Sequence, residues 1–338
     1  MQRVFVTNCD SSPGGGAAQM RKMLELYELS DKTHQLVDDP DTADFILICD
    51  SEFDDYAFKI RNNRLVRKYP NKCFILSNFD KPFYYARGIL TSAEKSGNRY
   101  ERFRSTSYSA YYDPYHNPYI HQHQSGKDKG EKKYLFSFAG RNSHPIREAI
   151  FKQNFSRKDI LIKDTTKVFD LWSGKTGNSI QDSYYRQLLS SKFALCPRGN
   201  GPNSIRLFEA MKLGIAPIII SDNFILPRGP HWEDFAIFIK EENIEDLEEI
   251  VAKYEGKYHE MGELARENFE NFFSDKMYFN YVIENIKDIA EKQIIPEVLF
   301  HYYTDFLIFS CKCKQFVVRI KNRLKRLLKS SEVGSTHP

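Results

Sequence analysis

The segment "FALCPRGNGPNSIRLFEA", residues 193–210, is the most informative stretch of the chain for the fold. It places Pro, Gly, Asn and Ser residues directly between two apolar runs. The run before it, residues 188–195, is typical of the last turn of a helix followed by a short buried strand. The run after it, residues 205–213, carries apolar residues at helical spacing. The pattern predicts a strand, a tight glycine loop and a helix N-terminus, an arrangement whose backbone N–H groups suit a phosphate.

Length and composition indicate an ordinary globular protein with two domains. The chain has 338 residues, of which 41% are hydrophobic and 28% charged, which excludes the disordered and fibrous classes. It contains no apolar run of about 18 residues, and its first ten residues lack the apolar core of a signal peptide. Its six cysteines lack the spacing of zinc ligands. These features predict a cytoplasmic location.

Apolar runs of strand type alternate with helical patterns along most of the chain. The runs occupy residues 3–8, 43–49, 72–80, 133–141 and 214–221. Such alternation predicts parallel sheets with helices on their faces. We expect an α/β fold with two doubly wound, Rossmann-like domains whose sheets face a cleft at their carboxyl ends.

The predicted domain limits follow from changes in composition. The first domain covers residues 1–125, a linker covers 126–133, the second domain covers 134–295, and a C-terminal helical region covers 296–338. Residues 101–133 are rich in Tyr, His, Pro and Gly. We therefore expect an irregular loop there, leading into the linker.

Two charged residues of the predicted helix point to an anionic ligand. Arg206 lies in the first turn, where the helix dipole disfavours a cation unless an anion is bound nearby. Glu209, one turn further on, is suited to holding ribose hydroxyls, as acidic residues do in dinucleotide folds. The alternative for Glu209 is an ordinary solvated helix residue.

The remaining polar residues of the loop have simpler alternatives. Gly199 and Gly201 are also typical turn residues, and Asn203 or Ser204 is a favoured N-cap in any helix. Taken together with Arg206, however, the set predicts a nucleoside diphosphate site rather than a plain turn.

The same region resembles the exostosin-like glycosyltransferases, in which an Arg-Gly loop, a Ser-x-Arg-x-x-Glu-Ala helix and a Gly-x-x-Pro strand recur in this order. The matching residues are Pro197, Arg198, Gly199, Ser204, Arg206, Glu209, Ala210, Gly214, Pro217, Ser221, Leu226 and Pro227. The segment "FSFAGR", residues 136–141, resembles the strand that opens the donor domain of that family. The resemblance covers residues 134–290 and is only architectural upstream of them.

The resemblance implies a GT-B glycosyltransferase that uses a nucleotide-sugar, usually a UDP-sugar, inverts the sugar configuration, and needs no metal or other cofactor. The expected donor-binding residues are Arg141, Arg198, Gly199, Gly201, Asn203, Ser204, Arg206, Glu209 and Ser221. Arg198 and Arg206 would hold the diphosphate, and Glu209 the ribose.

A catalytic base is expected in the first domain, at the carboxyl end of a strand that faces the cleft. Asp10, Asp50 and Asp80 each follow a strand-like run, and each has the alternative of capping a helix or closing a turn. Asp80 and Asp50 rank first because they end the most continuous buried runs. Asp10 lies beside a glycine loop that it would help to shape.

Two clusters have the side chains of a metal site without the context of one. His116, His121 and His123 lie on a Pro-rich segment with no cysteine nearby, and they are the next candidates for the base. Asp39 and Asp41 lie in a turn before a strand rather than at a strand end. We expect no metal at either cluster.

The C-terminal tail carries the basic charge of the chain. Residues 311–330 contain eight Lys or Arg and no acid, against a net charge of +4 for the whole chain. Apolar residues of this segment repeat at helical spacing: Phe316, Val317, Ile320, Leu324, Leu327 and Leu328. This pattern favours a basic amphipathic helix on an anionic membrane over a nucleic-acid-binding tail.

These features predict a glycosyltransferase on the cytoplasmic face of a membrane, with a polysaccharide or lipid-linked oligosaccharide as acceptor. The alternative is a catalytically silent subunit that binds the sugar nucleotide and partners an active enzyme.

Overall fold

The structure is a computed structural model that describes residues 1–9, 15–50, 60, 62–80, 85–98, 101–109, 117–123, 131–167, 178–303 and 305–306. Asp10 and His116 lie outside these residues, as does the side chain of Asp50. The described chain forms two parallel sheets with helices packed against them. The predicted α/β architecture with two Rossmann-like domains is therefore confirmed.

The strands are β1 (Arg3–Asn8), β2 (Gln35–Leu36), β3 (Phe45–Asp50), β4 (Cys73–Ser77), β5 (Gly88–Leu90), β6 (Phe103–Ser105), β7 (Tyr134–Gly140), β8 (Ile160–Asp164), β9 (Ser191–Pro197), β10 (Ala216–Ile220) and β11 (Ile237–Phe238). The α-helices of the described chain include α1 (Gly15–Leu29), α2 (Arg64–Lys68), α3 (Pro118–His121), α4 (Pro145–Lys152), α5 (Asn178–Leu189), α6 (Ile205–Lys212), α7 (Leu247–Ala252), α8 (Tyr258–Phe272) and α9 (Asp275–Lys292). Residues 297–303 and 305–306 are also helical.

Both sheets reverse their strand order beside their first strand. The first sheet runs β2-β1-β3-β4-β5-β6 and the second runs β8-β7-β9-β10-β11, with every pair parallel. In open α/β sheets, ligands bind outside the carboxyl ends of the strands where the order reverses. In the second sheet this point lies between β7 and β9, and β9 leads directly into the glycine loop.

Each sheet has its own apolar core, as the continuous apolar runs predict. Leu195, Ile218 and Phe208 belong to the core of the second sheet. Val4 and Leu47 belong to a core on one face of the first sheet, and a separate core covers its other face. Burial on both faces explains why the strands are apolar without polar alternation.

Helix α9 packs on the first domain, whereas the sequence assigns it to the second. Its buried face, which includes Tyr278, Val282 and Ile286, packs with Val4 and Leu47 of the first sheet. The preceding helix α8 packs on the second sheet. The chain therefore returns to the first sheet near residue 274. Residues 134–295, which the sequence predicts as one domain, accordingly divide between the cores of the two sheets.

The segment predicted as an irregular loop contains regular structure. Phe103–Ser105 forms β6, which pairs with β5 and extends the first sheet. In the other direction, Tyr108 and Ile120 pack into the core of the second sheet, although the sequence places them in the first domain. Short elements of this kind lack the length from which a periodicity can be recognised.

The two domains contact each other through residues 93–95 and 223–225. Glu94 forms a single antiparallel bridge with Phe224, and the Ile225 N–H donates to the Ala93 carbonyl at 3.1 Å. The Lys95 N–H donates to the Asn223 carbonyl at 2.9 Å.

In the described part of the chain, no helix is long and apolar enough to cross a membrane.

Candidate active site

Arg147 joins the two loops that leave β7 and β9. Its Nε donates to the Arg198 carbonyl at 2.8 Å, its Nη1 to the Arg141 carbonyl at 3.2 Å, and its Nη2 to the Pro197 carbonyl at 3.1 Å. Burial lowers the pKa of Arg147 to about 10, so the group remains charged at neutral pH. Arg147 therefore holds together the two loops at the point where the strand order reverses, and it places a buried positive charge next to them.

The glycine loop packs tightly against this arginine. A Cβ at Gly199 would lie 3.1 Å from Nη2 of Arg147 and 3.3 Å from Oγ of Ser143. The Gly199 N–H donates to the Gly201 carbonyl at 3.1 Å, which closes the loop. Gly199 therefore permits a close approach of backbone to a charged side chain.

Arg206 lies buried where α6 begins. It is 8% exposed, and its guanidinium donates to the Ala139 carbonyl at the end of β7. The guanidinium carbon lies 4.5 Å from the ring centre of Phe138 and 5.4 Å from that of Tyr184. Its Nε is buried and has no hydrogen-bond partner. A buried cationic donor without a partner is costly, and an anionic ligand would satisfy it.

Glu209 lies one turn further along α6 and is held by a tyrosine. The Tyr184 hydroxyl donates to Oε2 of Glu209 at 2.7 Å. Burial raises the pKa of the Glu209 carboxyl above its ordinary value, although the Tyr184 hydrogen bond and the Arg206 charge oppose this shift. Arg206 and Glu209 therefore share one buried environment, as their helical spacing predicts, and Glu209 is not an ordinary solvated helix residue.

Arg198 already has anionic partners in this structure. Its Nη2 lies 3.5 Å from Oε1 of Glu94, and its Nη1 lies 3.8 Å from Oε1 of Glu241. Glu94 belongs to the first domain, so this ion pair spans the two domains. Part of the charge expected for a diphosphate is thus balanced by protein carboxylates.

Asn203 and Ser204 do not act as side-chain caps of α6. The Asn203 amide donates to the Thr91 carbonyl of the first domain at 2.6 Å, and its Oδ1 accepts from the Ser204 N–H at 2.7 Å. Ser204 is the N-cap residue but makes no side-chain capping bond. Asn203 therefore fastens the loop to the facing domain, and the Ser204 hydroxyl is not used in capping.

Of the three predicted bases, Asp80 is the one whose side chain the structure describes, and its backbone lies beside this loop. A Cβ at Gly201 would lie 2.8 Å from the Asp80 carbonyl oxygen and 3.1 Å from its Cα. Burial, and after it the negative charge of Asp80, raises the pKa of Tyr108. The Asp80 charge also acts to raise the pKa of Arg147, against the larger effect of burial. The Asp80 charge therefore acts on Tyr108 and Arg147, and the Asp80 backbone contacts the loop at Gly201.

The remaining predicted site residues lie elsewhere on the second domain or outside the described residues. Ser221 follows β10, and its Oγ is buried without a hydrogen-bond partner. The His123 Nδ1 lies 2.9 Å from the Tyr185 hydroxyl, and His121 ends α3 on the second domain. His116, Asp10, the Asp50 side chain and the basic segment 311–330 fall outside the described residues.

The carboxylates of the acidic turn at Asp39 and Asp41 already have partners within the protein. Asp39 accepts from the Asp41 N–H at 2.9 Å, and Asp41 pairs with Lys68 at 3.1 Å. Within the described ranges, no three His, Cys, Asp or Glu side chains are grouped so as to hold a metal ion.

Sequence reasoning missed Arg147 and Tyr184. Arg147 lies in the first turn of α4, and the argument from the helix dipole that identified Arg206 would have found it. Tyr184 lies on α5, where a tyrosine at helical spacing is typical of packing. Only the fold shows that its hydroxyl reaches Glu209.

Comparison with known proteins gives one family and several distant relatives. The Exostosin GT47 domain model matches residues 65–254. A probable glucuronosyltransferase of Oryza sativa subsp. japonica is 39% identical over 72 residues, which cover 21% of this chain and 17% of that protein. The probable beta-1,4-xylosyltransferase IRX10 of Arabidopsis thaliana is 37% identical over 72 residues, 21% of this chain and 18% of the relative. The chain thus spans under a fifth of these relatives.

Solved structures give weaker likenesses. TarM has a TM-score of 0.37 at 11% identity, with 80% of this chain and 58% of that chain covered. WaaG, a glycosyltransferase involved in lipopolysaccharide biosynthesis, has a TM-score of 0.35 at 12% identity, with 87% and 100% covered. The fold assignment therefore rests on the sheet topology of this chain itself.

Proposed function

Since the chain belongs to the exostosin GT47 family, we propose that it transfers a sugar from a nucleotide-sugar, a UDP-sugar above all, to a polysaccharide or lipid-linked oligosaccharide. The family match agrees with the resemblance that the motifs of residues 193–227 carry. The observation that carries the proposal is the buried guanidinium of Arg206, which has an unpartnered Nε and lies beside Glu209.

In this proposal the donor lies across the carboxyl ends of β7 and β9. Arg206 and the first turn of α6 hold the diphosphate, with Arg147 as a charge behind the loop. Glu209, oriented by Tyr184, accepts hydrogen bonds from the ribose hydroxyls. Arg198 contributes less to binding, because Glu94 and Glu241 already share its charge.

The reaction we propose is an inverting displacement with Asp80 as the general base. Asp80 takes the proton of the acceptor hydroxyl while that oxygen attacks the anomeric carbon, and the nucleoside diphosphate leaves with the bonding pair. Arg206 and the helix N-terminus stabilise the negative charge that develops on the leaving group. This design places the required positive charge in the protein, so transfer should proceed in the presence of EDTA.

The basic segment 311–330 is proposed to hold the enzyme on the cytoplasmic face of an anionic membrane, next to a membrane-linked acceptor. Deleting residues 311–338 should leave a folded enzyme that sediments with anionic vesicles much less than the intact chain does. Raised salt should weaken the sedimentation of the intact protein, since charges are screened beyond about 10 Å at 0.1 M and beyond about 3 Å at 1 M. Equal sedimentation with and without the tail would contradict this part of the proposal.

A thermal-shift screen against UDP- and GDP-sugars tests the donor. A ligand at 100 times its dissociation constant adds roughly 2.7 kcal/mol to the free energy of unfolding, which is a measurable shift. An active enzyme is supported if sugars of one nucleotide class stabilise the protein and if incubation then releases the nucleoside diphosphate from that nucleotide-sugar. Stabilisation without any turnover would favour the silent-subunit alternative, and no stabilisation by either class would contradict the nucleotide site.

A further inference from the structure

The helix of residues 297–303 and 305–306 is apolar on the face that points away from the protein. Its inward face holds Glu297, Phe300 and His301, all buried. The outward face is formed by Leu299, Tyr302, Tyr303 and Phe306, which are 53%, 68%, 57% and 66% exposed. The spacing of these four residues is that of a continuous helical stripe. A stripe of this kind is expected to face an apolar partner.

Exposed apolar side chains are concentrated in this one part of the described chain. The large hydrophobic residues that are exposed are Met1, Leu29, Phe238, Tyr254, Ile294, Ile295, Leu299, Tyr302, Tyr303 and Phe306. Six of these ten lie within residues 294–306. Single exposed apolar residues need no explanation, whereas a contiguous group marks an interaction surface.

A buried ionic network fixes this helix on the first domain. The Arg102 guanidinium donates to both carboxylate oxygens of Glu297, and the Arg87 N–H donates to Oε1 at 3.1 Å. The guanidinium carbon of Arg102 lies 4.2 Å from the ring centre of Phe300, and the His301 ring stacks on Tyr85 at 4.7 Å. The outward face is therefore presented by a helix whose inner side is firmly held.

We propose that the outward face of residues 294–306 is a membrane-seating surface that inserts into the interface of an anionic bilayer. The proposal depends on the chemistry of the chain that follows. Five residues after Phe306, segment 311–330 begins, with eight cations and no acid. An apolar face that carries tyrosines suits the acyl chains of a bilayer, and a neighbouring segment with eight cations and no acid suits its anionic headgroups. A second copy of the chain fits less well, because two basic segments would be brought together and would repel each other.

This inference deepens the proposed function, because it gives the first domain a fixed orientation on the membrane that carries the acceptor. The basic tail alone would tether the enzyme without orienting it. A surface on the folded body would instead hold the cleft at a defined height and angle. Vesicle binding can be measured without transfer activity, so the two proposals can fail separately.

The test uses the full chain and vesicles of phosphatidylcholine with and without phosphatidylglycerol. We compare Leu299→Ser combined with Phe306→Ser against a matched control, Phe238→Ser combined with Tyr254→Ser, whose residues are exposed elsewhere. Salt at about 1 M weakens the contribution of the tail and leaves the apolar contribution in place. There the first variant should partition at least roughly tenfold more weakly than wild type, and the control within about twofold. Equal partitioning of all three proteins, or no binding of wild type to anionic vesicles, would overturn the proposal.

A second measurement locates the contact without weakening it. Phe306→Trp should shift its emission to the blue and be quenched by brominated lipid when anionic vesicles are added, and Phe238→Trp should do neither. A shift that instead follows protein concentration without vesicles would overturn the proposal in favour of self-association. Binding of UDP, measured on the same samples, tests the proposed function independently. Vesicle binding without UDP binding would support this inference and contradict the donor site alone.

Discussion

Gly201 is one of the points at which the glycine loop touches the facing domain, and Gly201→Ala perturbs that contact directly. Its φ is not positive, so the residue is needed for space rather than for backbone conformation. A Cβ there would lie 2.7 Å from Oγ of Ser92 and 2.8 Å from the Asp80 carbonyl oxygen. The serine hydroxyl can rotate away, whereas the Asp80 backbone cannot yield without moving its loop.

The expected magnitude follows from the distance that must be recovered. Ordinary contact begins at 3.4 Å, so the loops must separate by about 0.6 Å. Overpacking of this kind costs about 1–3 kcal/mol in the free energy of unfolding. The same movement shifts Asp80 relative to the donor, and a misplacement of about 1 Å can cost about 100-fold in rate, so we expect turnover to fall by roughly tenfold or more.

Urea denaturation and initial-rate assays measure the two effects, with Gly256→Ala as the matched control. A Cβ at Gly256 meets nothing within 4 Å, so that variant should be unchanged or slightly more stable. Affinity for the nucleotide should change less than turnover, because Arg206 and Glu209 lie on the helix side of the loop. If Gly201→Ala is as stable and as active as Gly256→Ala, the close contact described between the glycine loop and Asp80 does not exist.

Three further predictions follow from the same structure. Asp80→Asn should preserve nucleotide affinity and lower turnover by about 100-fold or more, the usual scale of general-base catalysis; unchanged turnover in this variant would exclude Asp80 as the base. Glu297→Gln should lower the free energy of unfolding in urea by about 3–5 kcal/mol, because it leaves the buried Arg102 charge without a balancing carboxylate, and a loss below about 1 kcal/mol would show that the pair is not buried as described. Burial raises the pKa of the Glu209 carboxyl in the folded chain. The folded chain therefore still holds this proton at pH values where the unfolded chain has lost it. The contribution of Glu209 to the free energy of unfolding should consequently fall as the pH rises above about 4.3 and through the raised pKa. The stability difference between wild type and Glu209→Gln should show this slope, and a flat difference across that range would contradict it.

Local patterns in the sequence predict the elements that carry the site. The continuous apolar runs correspond to β3, β4, β7 and β10, and the loop beginning at Arg198 leads into α6 as expected. Arg206 and Glu209 share one environment because residues three apart on a helix face the same side. Placing Asp80 near the loop needed only the rule that parallel strands present their carboxyl ends to the cleft.

Long-range contacts account for what the sequence does not predict. Helix α9 carries an apolar stripe that suits either sheet, and nothing local indicates that it packs with Val4 rather than with the second core. Asn203 has the composition of a cap, yet its amide bonds to Thr91, 112 positions away in the chain. The tyrosine that orients Glu209 depends likewise on how α5 packs beside α6.

The most direct test of the account is a calorimetric titration of UDP into wild type, Arg206→Met and Glu209→Gln, with Glu263→Gln as a control on an exposed surface. Met keeps much of the apolar bulk of the arginine stem and removes its charge. Wild type and Glu263→Gln should bind one UDP with equal affinity. The two site variants should bind at least roughly tenfold more weakly, since hydrogen bonds to charged groups contribute about 1.5–3 kcal/mol each. Equal UDP affinity in all four proteins would contradict the assignment of the nucleotide site to this loop and helix.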